Sequence, residues 1–434
     1  MPLLGQDELR LVCDFLDPPH ILSIACTCQA YRNILLASPA HWARVWLKTE
    51  RDLTSAPYFV ERSGSCALDV SISSTLFDAV VANPNPLSPD RWRTLLVLAY
   101  VDVHIRNFIA EISASTPNLV RLEFLACERV ECFEHTPLFQ LPALRSLVVH
   151  ACVPCIPALP NLTYLYFFRL QANYHQFRQL ILDLPVLETL VLDQFADELD
   201  RTFDASYPLI EAASITSLSV NFTNDYLTTD NEKTILTFLY TPNLQYLEIW
   251  DNREDYGEFS GKQYSFLQTL CLHDMEFDDV ACSVYRAFEN LTRLEIHKCR
   301  NLEFLLTGAE ESWPSLQTFV CDPPTGAPVL LLARPQIKVQ APKRLQEELQ
   351  GDPRVQFYSS SDEAGTLLHP DRFARKNWDS LDDRESFSGG SFEDDFDLDY
   401  ELDYADEYDD EEDYEDGGYD DYDEGFEDED VDAW

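Results

Sequence analysis

The sequence predicts an α/β chain: a curved parallel sheet built from repeats, preceded by a small helical unit and followed by a disordered acidic tail. Three observations carry this. The phrase leucine, two residues, leucine, one residue, leucine returns nine times at intervals of 18 to 29 residues. Apolar side chains in residues 1–48 recur at helical spacing. Residues 391–434 hold 25 Asp or Glu and no Lys or Arg.

The phrases read Leu119, Leu122, Phe124; Leu144, Leu147, Val149; Leu162, Leu165, Phe167; Leu187, Leu190, Leu192; and Ile215, Leu218, Val220. They continue as Leu244, Leu247, Ile249; Leu267, Leu270, Leu272; Leu291, Leu294, Ile296; and Leu316, Phe319, Cys321. Pro117, Pro142, Pro160, Pro185, Pro242 and Pro314 lead in, and proline sets the turn into each strand. At the ninth position stand Cys127, Cys152, Asn252 and Cys299, with Thr223 as a substitute. A small donor there satisfies backbone carbonyls inside the turn. Leu170, Phe195, Met275 and Pro324 depart from this. With shared lead-in, core and tail, residues 117–358 resemble an irregular leucine-rich-repeat solenoid.

In the helical unit, residues 1–48, Leu9, Val12, Phe15 and Leu16 keep helical spacing, and Asp17-Pro18-Pro19 breaks that helix and opens the next. Ile21, Leu22, Ile24, Ala25 and Cys28 supply a second apolar face, and Tyr31, Ile34 and Leu35 a third. Ser38-Pro39 turns the chain, and Trp42 and Val45 close the unit. A core this small leaves apolar surface for a partner. Glu8-Leu9, Leu16-Asp17-Pro18, Ala25-Cys26, Tyr31-Arg32 and Pro39-Ala40-His41-Trp42 together resemble an F-box, with Gly5 where that family carries proline. The resemblance implies binding of a Skp-type adaptor and, through it, a cullin ubiquitin ligase. Leu9, Val12, Phe15, Leu16, Pro18, Ile21, Leu22, Ile34 and Trp42 are the candidate adaptor contacts in some combination. The bland alternative is a helical cap on the repeat array.

Residues 49–116 read as a linker with two degenerate repeats, strands starting near Ser65 and Trp92, and a Pro/Asn loop over 83–89. Helices are predicted between phrases at Tyr174–Leu184, Asn231–Tyr240 and Asp279–Phe288. A closure over 335–358 is expected from a strand at Ile337–Val339, a helix from Pro342 through Leu345 and Leu349, and a last strand at Val355–Tyr358. Residues 359–434 cannot bury enough apolar area to fold.

The composition excludes several classes. No run is long and apolar enough for a membrane span, and the N-terminus lacks a basic region, so a cytosolic or nuclear chain is expected. Twelve cysteines should then be mostly free. Cys152-Val-Pro-Cys155 lacks a second pair at zinc-site spacing and reads as structural. Asn161, Asn221 and Asn290 open glycosylation-type triplets, read as chance on predicted strands. A net charge of −46 argues against nucleic acid as the ligand. No Gly-rich phosphate loop, Gly-x-Ser-x-Gly or His-Glu-x-x-His occurs, so no enzyme, metal or cofactor is expected.

Positions one, four and six of the phrase should point inward, and positions three, five and seven should form an exposed concave face. That face carries Tyr164, Tyr166 and Phe168 beside Val148 and Val191, then Trp250, and then His273 next to His297 with Glu295 and Cys271 nearby. Aromatics in such a place suit binding of a protein substrate. The expected function is a substrate-recognition subunit of a cullin-type ligase. The alternative is a protein-binding repeat scaffold without ligase coupling, whose acidic tail recruits basic proteins.

Overall fold

The computed structural model describes residues 6–14, 16, 18–99, 108, 115–126, 141–150, 159–168, 170, 174–193, 207–222, 235–251, 264–277, 288–302, 305, 313–322, 336–343 and 352–358. All lie in the first of two compact units, Met1–Pro370. The acidic tail, Cys152, Cys155 and the helix predicted at Asp279–Phe288, save Phe288 itself, lie outside the described residues.

One fourteen-stranded sheet runs through the unit with its strands in chain order. The strands are β1 Arg44–Leu47, β2 Leu68–Ser73, β3 Trp92–Ala99, β4 Arg121–Ala126, β5 Ser146–His150, β6 Tyr164–Phe168 and β7 Thr189–Asp193. Then follow β8 Ser217–Phe222, β9 Tyr246–Asp251, β10 Thr269–His273, β11 Arg293–His297, β12 Thr318–Asp322, β13 Lys338–Pro342 and β14 Val355–Tyr358. Every neighbouring pair is parallel. The nine phrases are β4 to β12, and their fourth positions align: Leu122, Leu147, Leu165, Leu190, Leu218, Leu247, Leu270, Leu294 and Phe319 are register partners in succession. Each is buried. Because side chains alternate along a strand, positions four and six enter one continuous core. The architecture is a leucine-rich-repeat solenoid.

The turns before the strands explain how the repeats lock together. Arg145 N and Ser146 N both donate to Val120 O, Thr163 N and Tyr164 N to Arg145 O, and the pattern recurs down to Gln317 N and Thr318 N on Thr292 O. An asparagine just before the first leucine adds a side-chain rung. Asn118 Nδ2 donates to Asp90 O at 2.7 Å, Asn161 to Pro142 O at 3.0 Å, Asn243 to Ala213 O at 2.7 Å and Asn290 to Ser265 O at 2.6 Å. Asn161 and Asn290 thus sit in turns, not on strands as expected, with their amides engaged. Of the predicted ninth-position donors, Cys299 falls among the described residues. Its Sγ lies 3.4 Å from both Leu272 O and His297 O, the role expected of it.

The helical unit comprises α1 Gln6–Asp14, α2 Pro18–Thr27, α3 Gln29–Leu36 and a 3-10 turn Pro39–Trp42. Cys28 caps α3, its Sγ accepting from Tyr31 N at 3.5 Å, the place Ser or Asp usually fills. Arg32 Nε donates to Ala25 O at 3.1 Å, placing a cation at the end of α2. Trp42 Nε1 donates to Leu35 O at 2.8 Å. The apolar interior of this unit is continuous with that of the repeats. Its boundary with the sheet differs from the expected one, because β1 lies inside residues 1–48 and pairs with β2.

Helix α4, Glu50–Arg62, starts at Thr49, whose backbone N donates to Asp52 Oδ2 at 2.8 Å. Helix α5 spans Phe77–Ala82 and α6 spans Tyr174–Leu182. Where a helix was expected over Asn231–Tyr240, a single turn, Ile235–Phe238, gives way to a short strand, Leu239–Tyr240, paired in parallel with Ile210–Glu211. Pro342 ends β13, and the helix predicted after it lies outside the described residues. Among the described residues no helix is long and apolar enough to cross a membrane.

Candidate functional site

Two surfaces hold the candidate residues. The first is the outer side of α1 to α3. In α1, Leu9 and Cys13, one turn apart, face the core. Ile21 and Ala25 do the same in α2, and Leu35 in α3. The structure therefore sorts the candidate contacts. Leu9, Ile21 and Trp42 are buried, so they are core rather than surface, because each completes the interior that α1 to α3 share with β1. Leu16 and Ile34 pack half-buried against that core. Val12 and Leu22 are each 40% exposed. Phe15 lies outside the described residues, and Pro18 starts α2. Leu11 at 62% and Leu36 at 39% are exposed too. Neither was among the candidates, although Leu11 adjoins Val12 and the two form one outward pair.

The second surface is the concave face of β6 to β11. Here the expectation of general exposure is corrected. Of the fifth-position row, Val148, Val191, Ser219, Glu248, Cys271, Glu295 and Val320 are buried, while Glu123 and Tyr166 are half-buried. Side chains on adjoining parallel strands stand about 4.8 Å apart, close enough to cover one another. Val191, Tyr246 and Cys271 form a second apolar cluster, and Tyr164 and Tyr166 pack half-buried against it. Ser219 occupies the β8 position between Val191 and Glu248. Phe168 is half-buried at the seventh position of β6.

The seventh-position row carries a polar network and a stack of rings. Tyr166 Oη donates to Asp193 Oδ2 at 2.5 Å, and Asn221 Nδ2 donates to Asp193 Oδ1 at 2.6 Å. Three strands on, Trp250 and His273 stack with centroids 3.8 Å apart and planes 3° apart. His273 and His297 continue the stack at 4.6 Å and 11°. Register explains this: Trp250, His273 and His297 are successive partners across β9, β10 and β11.

Carboxylates line the foot of the stack. Trp250 Nε1 donates to Glu248 Oε1 at 2.9 Å. His273 Nε2 lies 3.2 Å from the same oxygen but off the hydrogen-bond axis, so we read it as an electrostatic contact. Arg293 Nε donates to Glu295 Oε1 at 2.5 Å, and His297 Nε2 is 3.4 Å from Glu295 Oε2. Burial lowers the proton affinity of His273, outweighing the pull of Glu248. Burial alone would raise Glu295, but His297 and Arg293 hold it below the usual carboxylate range. Burial first, then nearby charge, pushes the Tyr246 hydroxyl and the Cys271 thiol up, so both stay protonated. Among the described residues no three His, Cys, Asp or Glu gather so as to hold a metal ion. Cys26, Cys28, Cys66, Cys271 and Cys299 are free thiols.

The structure thus brings Trp250, His273 and His297 together, and Tyr164 with Tyr166, but as two groups on one face. No family model matches the chain, and no curated protein matches it. Among solved structures it is similar to a Bacteroides fragilis protein, at 15% identity over 65% of this chain and 71% of that one, with a TM-score of 0.31. It is also similar to a leucine-rich-repeat protein of Leptospira interrogans, at 14% identity over 68% of this chain and 99% of that one, with a TM-score of 0.23. Both scores are low, and the description of the fold rests on the strand register.

Proposed function

We propose that the chain is a substrate-recognition subunit of a cullin-type ubiquitin ligase. In this reading α1 to α3 dock a Skp-type adaptor, and the concave repeat face holds a protein substrate. The chain performs no chemistry itself and raises the effective concentration of substrate near the ligase. The observation that carries it is the outward apolar set Leu11, Val12, Leu22 and Leu36, 39–62% exposed on three short helices whose motifs resemble an F-box. An end cap has no need of outward leucines, since the face that seals the array is the inner one.

The test is co-purification of a Skp adaptor with the full chain and with the variant Leu11→Asp/Leu22→Asp. Retention by the parent and loss by the variant, with unchanged thermal unfolding, is the expected result. Removing residues 1–48 is a poorer test, because it also strips β1 from the sheet. A second reading has its own support: the continuous core between α1–α3 and the repeats suits a scaffold whose helices are only a cap. Failure of the parent chain to retain any adaptor would leave that scaffold reading, with basic proteins recruited by the acidic tail.

A further inference from the structure

Three buried carboxylates on the concave face, Asp193, Glu248 and Glu295, are treated differently by their neighbours. Asp193 takes a donor on each oxygen, from Tyr166 and Asn221. Glu295 has Arg293 at one oxygen and His297 at the other. Glu248 has the Trp250 indole at Oε1, while Oε2 has no hydrogen-bond partner among the described residues and is closed to solvent. A buried carboxylate oxygen without a donor is destabilising, so folding alone does not account for it.

We propose that Glu248 receives the guanidinium of an arginine carried by the protein that the repeat face binds. The proposal rests on the protein-binding reading above and names the chemistry of that partner. Charge selects a cation: the face presents these three carboxylates, Arg293 is already paired with Glu295, and the whole chain carries −46. Geometry selects arginine over lysine. A guanidinium offers two parallel N–H groups to both carboxylate oxygens, where an ammonium is a point charge. Entry exchanges partners. The half-buried Trp250 turns and gives up its one bond to Oε1, and the arginine supplies donors to Oε1 and Oε2. The carboxylate gains a hydrogen bond in the exchange.

The experiment uses the full chain and a synthetic peptide of repeated Arg-Gly-Ser, with the Lys-Gly-Ser peptide as comparison. Titration calorimetry is run at about 0.3 M salt to screen the acidic tail. Glu248→Gln should weaken the arginine peptide by about tenfold and leave the lysine peptide unchanged. Trp250→Phe keeps a ring but removes the competing indole donor, so it should tighten arginine binding by roughly threefold. A residue of purely structural importance would not give that gain, and the variant serves as well if Glu248→Gln misfolds. Equal affinity of the two peptides, or no change in either variant, overturns the proposal. Adaptor capture is read from α1 to α3 in the same preparation, so its loss and the loss of arginine binding are told apart.

Discussion

The outer face of α1 to α3 and the concave face of β6 to β11 invert the usual relation between polarity and burial. The helices expose leucine, with Leu11 at 62%, while the sheet buries glutamate, with Glu248 at 0%. Both arrangements are costly for an isolated chain. The helical face bears the cost as apolar surface in water. The sheet bears it as carboxylates out of water, which donors must satisfy. The two faces therefore differ in what relieves them, apolar cover for the helices and hydrogen-bond donors for the sheet.

The comparison can be broken first at its foundation. Leu270→Ala empties a fully buried position and should lower stability by about 2–5 kcal/mol in chemical denaturation. Leu22→Asp, on the outer face, should change stability by less than about 0.5 kcal/mol while abolishing adaptor capture. A large destabilisation by Leu22→Asp would show that the outer face belongs to the core after all.

The buried polar face should respond to acid. His273 holds its proton less tightly folded than unfolded, where the value is near 6.5, so the unfolded chain binds more protons below that pH. Stability should fall as pH drops through about 6.5, by at most about 1.4 kcal/mol per unit, and His273→Gln should remove that slope. Glu295 has the opposite charge type but the same sign of effect. Its folded affinity is depressed below 4.5, so its contribution is present above that value and lost as pH falls further. Denaturation midpoints measured between about pH 7 and pH 4 test His273, and those continued to about pH 2 test Glu295.

Smaller effects separate the turns from the surface. Asn290→Ala deletes one rung between repeats and should cost about 1 kcal/mol. Arg93→Ala breaks an ion pair with Asp69 at 3.0 Å, but Arg93 is 57% exposed, and the cost should stay under about 0.5 kcal/mol and vanish in salt.

Much of the solenoid was legible because strand alternation is local. Once Leu122 faces inward, Phe124 must do so too, and a phrase repeated nine times repeats its register. The asparagine rungs were also on view as Asn118, Asn161, Asn243 and Asn290, each directly before a first leucine. Their partners were not, because each amide meets a carbonyl 19 to 30 residues earlier in the chain. The degree of burial on the concave face was not legible. Whether Glu248 meets water depends on Ser219 and Cys271, which lie 29 and 23 residues away in sequence, and on how rings from three strands stack.

By itself the sequence determined the repeat, its inward positions, the helical breaks at the N-terminus and the charge of the tail, because each depends on neighbours within a turn or two of chain. The tertiary structure decided which leucines of α1 to α3 remain outside, that β1 joins the helical unit to the sheet, and that Glu248 keeps one oxygen without a donor among the described residues. Those depend on which distant side chains arrive at the same place. Burial and hydrogen bonding are properties of that meeting and of no single residue.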